Sequence, residues 1–320
     1  MSAELDYSNG RVNFAYVLEH GSPWHGEGQI VPLNSPIETW KKEAGLEWES
    51  YGCPVVYYTE NKQVKFFPKR KVLYRNDTNA PLSIVSDDYR IVQPGEIVDF
   101  FYGVLEQHNM EMSSCGSLFG GKRFFATAKL KDFEIIKGDV ITGYLLITTS
   151  LDGTLATVAK ITSIRTVCNN TLTMALNEDN KNMVKVTHST TFNPDKVKLD
   201  LGLIEECQFN FITNMQKLAN VSCTPKQAED FYKEMFFEKG VSEQSNQLEQ
   251  KVENIMNLYR NGNGSEFGKN TYYNVLQGIT DYFTNSTKPR TESAKFWNSF
   301  YGVNDQIKLD AQNKLLEMVD

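Results

Sequence analysis

The sequence predicts an α+β protein: an antiparallel sheet meander flanked by helices, with a helical C-terminal third. Three observations carry that expectation. Short β-branched and aromatic runs separated by turn formers fill much of residues 54–163, the pattern of strands joined by hairpins. Residues 94–108 interrupt them with apolar side chains recurring every three to four positions, the period of an amphipathic helix. Beyond residue 195 helical periods replace the alternating ones. The sequence thus divides into an α+β core, residues 1–195, and a helical region, residues 196–320.

The elements follow in order. Residues 1–50 hold turn formers with Trp24, Trp40 and Trp48, and Ser35-Pro36 predicts a short helix with serine as cap and proline in its first position. Val55-Val56-Tyr57-Tyr58 and Val64-Lys65-Phe66-Phe67 flank the polar Glu60-Asn61-Lys62, a hairpin signal. Pro94-Gly95 opens the helix that carries Ile97, Val98, Phe100, Phe101, Val104 and Leu105 and ends near His108. Phe119-Gly120-Gly121-Lys122 separates two strands, glycine supplying the positive φ of a tight turn. Further strands at about 139–149 and 154–163 join through Asp152-Gly153. Asn169, Asn170 and Thr171 are suited to cap a helix expected to begin there. The order is helix, meander, helix.

In the last third, Leu201, Ile204, Phe211, Ile212, Met215 and Leu218 fit one helical face, and Leu248, Val252, Ile255, Leu258 and Tyr259 another. Between them Thr224-Pro225-Lys226-Gln227 combines a capping threonine, a first-position proline and a glutamine three residues on. Asn261-Gly262-Asn263-Gly264-Ser265 is a loop, and residues 272–283 and 306–319 read as helices.

Composition narrows the function classes. A 320-residue chain with 40% hydrophobic and 12% aromatic residues and a formal charge of −7 is a folded protein, not a basic nucleic-acid coat, although a local basic face is compatible with it. The longest apolar runs fall far short of the roughly 20 residues of a membrane span, and residues 1–10 lack the basic and apolar segments of a signal peptide. A cytoplasmic location is the expectation. Five cysteines, odd in number and never in a C-x-x-C pair, read as reduced thiols.

Cys168 and His188 could pair as nucleophile and base, but no oxyanion or orienting motif accompanies them, so a core cysteine is the preferred reading. His20, His25, His108 and His188 have no metal-ligand spacing, the glycines of residues 262–268 do not match a phosphate loop, and Asp87-Asp88 reads as a solvated turn. No catalytic residue, metal or cofactor is expected. More informative are Lys62, Lys65, Lys69, Arg70, Lys71 and Arg75, interleaved with Phe66, Phe67 and Tyr74. Positive charge can follow phosphates while exposed rings stack on bases. Lys122, Arg123, Lys129 and Lys131 form a second basic stretch. A plainer reading, in which the aromatics face the core and the lysines guard a sheet edge, ranks just ahead on the residues alone.

Four segments carry a family resemblance: Arg165-Thr166-Val167-Cys168-Asn169-Asn170-Thr171-Leu172 with His188, Gly116-Ser117-Leu118-Phe119-Gly120-Gly121-Lys122-Arg123, Tyr89-Arg90-Ile91-Val92-Gln93-Pro94, and Thr271-Tyr272-Tyr273 through Tyr282. In these the chain resembles the phage/plasmid-like family of unknown function numbered nine-three-two, over most of its length. Where that family tends to show Asn-Ala-Val-Thr, this chain has Gln277-Gly278-Ile279-Thr280. The resemblance implies a home on mobile elements and no established reaction. The helix, meander and helix order is also similar to phage single-strand annealing proteins of the RecT and Red-beta kind, a fold-level analogy.

The expected function is therefore non-enzymatic: a protein of a bacterial host's cytoplasm, of phage or plasmid origin, that binds single-stranded nucleic acid in recombination or replication. Lys65, Lys69, Arg70, Lys71, Arg75, Lys122 and Arg123 are the expected phosphate contacts. A homo-oligomer is compatible with it, and a membrane partner is not expected. The alternative is a host-directed protein–protein interaction protein, its helical third docking a bacterial partner.

Overall fold

A computed structural model of the chain describes residues 6–8, 10–21, 27–107, 110–153, 157–165, 171–173, 184–186, 204–237, 246–262, 264–287 and 302–320. It is an α+β fold. The chain forms two compact units, one of Met1–Leu130, Leu145–Lys160 and Met183–Gly202, the other of Lys131–Tyr144, Ile161–Asn182 and Leu203–Asp320. In the second unit the 131–144 hairpin end packs with the helices. There Phe133 meets Phe211 edge-on at 6.0 Å, Tyr273 Oη donates to Asp139 at 2.6 Å, and Gln216 Nε2 donates to the Ile135 carbonyl at 3.5 Å.

The larger sheet holds β1 (Phe14–Tyr16), β2 (Gln29–Ile30), β6 (Glu111–Leu118), β7 (Arg123–Glu134), β8 (Val140–Ser150), β9 (Thr157–Arg165), β10 (Thr171–Thr173) and β11 (Val184–Val186). Its order is β10-β9-β8-β7-β6-β1-β2, with β11 also on β9. The expected meander is β6 to β9. Phe119, Gly120 and Gly121 take φ of 57°, 68° and 90° in its first turn, the left-handed region for which glycine is suited. One expectation is corrected here. Thr171–Thr173 is not a helix start but a strand, Thr171 pairing with Ile164 and Thr173 with Thr162. The two threonines are β-branched and gain a partner strand, which outweighs the capping potential of Asn169 and Asn170. The meander is extended by these short strands, and the next described helix begins at Ile204.

The first unit also contains α1 (Ile37–Glu43), α2 (Pro94–Gln107) and a three-stranded antiparallel sheet of β3 (Ser50–Tyr58), β4 (Val64–Arg75) and β5 (Pro81–Ser86). Helix α1 begins one residue later than its sequence suggests. Pro36 is its N-cap, and Ser35 Oγ turns away to donate to the Pro32 carbonyl at 2.7 Å. In the small sheet Leu73, Leu82 and Val85 bury against Trp48 and Leu151, with Tyr89 and Ile91 packed beside them. Only one end of this sheet is held by a core.

The second unit contains α3 (Ile204–Asn220), α4 (Pro225–Phe237), α5 (Asn246–Asn261), α6 (Tyr272–Asp281) and α7 (Val303–Val319). The capping box at α4 forms as its sequence requires: Gln227 N donates to Thr224 Oγ1 at 3.3 Å and Thr224 N to Gln227 Oε1 at 2.9 Å. Helix α6 is buried on every side, between α3, α5 and α7, its polar Asn274, Gln277, Thr280 and Asp281 included. Gly278 makes the close packing feasible: a Cβ there would lie 2.8 Å from Tyr232 Oη, and that hydroxyl donates to the Val275 carbonyl at 2.9 Å. Among the described residues no helix is long and apolar enough to cross a membrane.

Candidate functional site

The candidate site is the outer half of the β3–β4 hairpin. Its turn is closed by Thr59 N donating to the Gln63 carbonyl at 3.0 Å and Lys62 N to the Thr59 carbonyl at 2.8 Å. Lys62 sits at φ 59° there. Below the turn Tyr58 pairs with Val64, Tyr57 with Lys65 and Val56 with Phe66. The next paired rung is Pro54 with Lys71, so Phe67-Pro68-Lys69-Arg70 on β4 oppose the single residue Val55 on β3. This is a β-bulge enlarged to four residues against one. Pro68 has no N–H for a ladder and Lys69 takes φ 57°, both features that interrupt pairing and bend the strand. Strand β5 stops at the bulge, where Arg70 pairs with Ser86 and Asp87 N donates to the Lys69 carbonyl at 3.3 Å. Residues 56–66 therefore form a two-stranded ribbon with no third strand beside it.

Alternation gives the ribbon two different faces. Val56, Tyr58, Val64 and Phe66 share one, wholly apolar. Tyr57 and Lys65 share the other, and Phe67 follows in the bulge. All are exposed, Tyr58 at 73% and Phe66 at 71%. The expectation that these aromatics face a core is thereby overturned: the core ends at Leu73, below the bulge. Lys62, Lys65, Lys69 and Arg70 are exposed as well, and none is in an ion pair among the described residues.

The other expected phosphate contacts are placed differently. Lys71 is half-buried and Nζ donates to the carbonyls of Asp87 (2.7 Å) and Tyr89 (2.8 Å), tying β4 to the chain after β5. Arg75 is a correction: its side chain is 0% exposed and clasped by carboxylates. Nη1 donates to Asp6 at 2.5 Å and to Ser8 at 2.7 Å, while Nε and Nη2 donate to Asp77 at 2.9 and 2.6 Å. The guanidinium lies 4.3 Å from the Trp48 ring centre. Burial opposes its charge, but its hydrogen bonds to Asp77 and the field of Asp6 outweigh burial and raise its pKa above the ordinary value. Such a group is an internal clamp, shut off from phosphate by its burial. It belongs to a fixed base for the ribbon, because Asp6 also accepts from Asn13 at 2.9 Å and Ser117 at 3.1 Å.

Lys122 and Arg123 are half-buried at the β6–β7 turn, and Arg123 pairs with Asp152 at 2.6 Å. That turn meets the base end of β4, where Arg75 Nη1 reaches the Gly120 carbonyl at 3.3 Å. Cys168 and His188 lie outside the described residues. Of the other thiols, Cys115 is buried and burial pushes it well above the ordinary range, whereas Cys53 is exposed. Among the described residues no three histidine, cysteine or carboxylate side chains converge as a metal site.

Fold and site together define an α+β protein with an exposed, cationic and aromatic β-ribbon. A family model described as domain of unknown function, DUF932, matches residues 81–300, and the chain belongs to that family. All four resembling segments quoted above fall within the match. The ribbon lies before it, ending upstream of Pro81. No curated protein and no solved structure matches the chain.

Proposed function

We propose that the protein binds single-stranded nucleic acid through the β3–β4 ribbon, as part of recombination or replication on a phage or plasmid. The observation that carries this reading is the set of unpaired cations, Lys62, Lys65, Lys69 and Arg70, alongside the exposed rings of Tyr57 and Phe67. Phosphates attract the first group, and unstacked bases offer π-faces to the second without regard to sequence. A duplex keeps its bases stacked, so free rings favour single strands. Lys65 pairs directly with Tyr57, which places charge and stacking surface on one face. The chain's net charge of −7 confines the attraction to the ribbon.

The test is a titration of the purified chain into a labelled single strand and the matching duplex at low salt. Tighter binding to the single strand is expected. Absence of binding at low salt removes the proposal. A protein-docking reading has one observation of its own, the apolar face opposite Lys65.

A further inference from the structure

The face formed by Val56, Tyr58, Val64 and Phe66 lies opposite Lys65 and has no cover within the chain's described residues. A two-stranded ribbon exposed on both faces is marginal in water; stable ones pack a face against something. Charge indicates what that is. Residues 56–70 carry four cations and one carboxylate, whereas residues 1–55 carry eight carboxylates and three cations. The same N-terminal segment exposes Leu18, Ile30 and Leu33, with Glu19 exposed beside Leu18. Ile30 lies on β2, the terminal strand of the larger sheet, directly paired with Tyr16 of β1.

We infer that the apolar face of the ribbon docks on the acidic N-terminal segment of a second copy of this chain, against Leu18, Ile30 and Leu33. The exposed carboxylates of that segment, Glu19, Glu47 and Glu49 among them, and the cations of the ribbon steer the approach, and the apolar side chains make the contact. Pairing of two ribbons face to face would instead set +3 against +3. The contact is heterologous, so every copy keeps one ribbon and one acceptor surface to offer. Assembly then proceeds to a ring or a filament rather than stopping at a dimer. Lys65 and Tyr57 face away from the contact. The inference does not rest on nucleic-acid binding and is tested without it.

Sedimentation velocity on the full chain, free of nucleic acid, is expected to show concentration-dependent species larger than a dimer. A ribbon variant, Tyr58→Glu with Phe66→Glu, and an acceptor variant, Leu18→Glu with Ile30→Glu, should each be monomeric. Loss of a buried interface anchor weakens association by about 30-fold each. Mixed in equal amounts, the two variants should form a 1:1 complex, since one retains a ribbon and the other an acceptor. Zero-length crosslinking of mixed isotope-labelled wild-type copies should join Lys62 or Lys69 to carboxylates of residues 1–55 across copies, a readout independent of variant folding. A monomeric wild type at high concentration overturns the inference, as do an acceptor variant that assembles like wild type and crosslinks that join only ribbon to ribbon.

Discussion

The number of phosphates the ribbon can neutralise sets a measurable slope. Each cation that replaces counterions on a single strand contributes about −0.7 to the slope of log affinity against log salt. Lys62, Lys65, Lys69 and Arg70 are exposed and unpaired, so the four together predict about −2.8. Between 50 and 200 mM salt, affinity should then fall about 50-fold. Had all seven cations expected from sequence met phosphate, the slope would be about −4.9; the burial of Arg75 and the pairing of Arg123 with Asp152 argue against that. The perturbation is Lys69→Gln with Arg70→Gln, both in the bulge and outside any described ion pair. It should halve the slope to about −1.4 and reduce the salt sensitivity over the same range to about 7-fold. Fluorescence anisotropy of a labelled oligothymidine at five or so salt concentrations measures both slopes. A slope near zero, or one that the double substitution leaves unchanged, would refute the assignment of these side chains to phosphate.

Other consequences can be checked with the same protein. Tyr57→Ala and Phe67→Ala should each weaken single-strand binding by about 1–3 kcal/mol while leaving the salt slope alone, because stacking releases no counterions; a changed slope would speak against stacking. Arg75→Ala leaves the buried Asp6 carboxylate without its cation, which should cost about 3–5 kcal/mol and lower the melting temperature by roughly 6–20 °C. Arg75→Lys should rescue little, since one ammonium cannot serve both Asp77 oxygens and Asp6; a melting curve like wild type for either variant would contradict the clamp. Burial opposes ionisation of Asp77, but Arg75 overrides it and lowers the Asp77 pKa. A depressed folded pKa contributes stability above the unfolded value of about 3.9 and loses it as pH falls through the folded value, so melting between pH 5 and 2 should drop less steeply in Asp77→Asn. Under native conditions Cys53 should alkylate quickly, with Cys115 and Cys223 protected: burial raises both thiols, Cys223 to about 11. Mass mapping of the labelled sites decides it.

Local rules carried most elements from sequence to structure. The Glu60-Asn61-Lys62 turn, the Pro94 helix start, the double-glycine hairpin and the Thr224 capping box are each specified by a few adjacent residues, and each forms where its residues stand. What the sequence concealed depends on distant partners. Thr171–Thr173 has both capping and strand residues at hand, and β9 decides between them. Arg75 falls two positions beyond the buried Leu73 on β4, on its inward face, and the partner that lets a cation stand there, Asp6, is some seventy positions away. The four-against-one bulge was visible only as Pro68 in a strand, a signal that a ladder is interrupted there. Had that proline been weighted, the loss of core packing above it, and so the exposure of Phe66 and Phe67, would have followed.

The ribbon is costly for the isolated chain, which is the strongest reason to assign it partners. Leaving side chains such as Val56, Tyr58, Val64 and Phe66 in water forgoes about 1.5–3 kcal/mol each relative to full burial, and exposed apolar strands invite aggregation. Sequences that merely need a turn between β3 and β4 can make it at the bulge, where the core ends. The chain instead continues past Pro54 and returns at Lys71 with aromatics on both sides and Lys65 opposite the apolar one. Because the two faces point in opposite directions, an apolar partner and a polyanion can occupy them together. A ribbon fixed by a second copy on one side would hold Tyr57 and Lys65 in a set orientation on the other, lowering the ordering cost of strand binding. On that argument the assembly variants should weaken single-strand affinity without touching any side chain on the basic face.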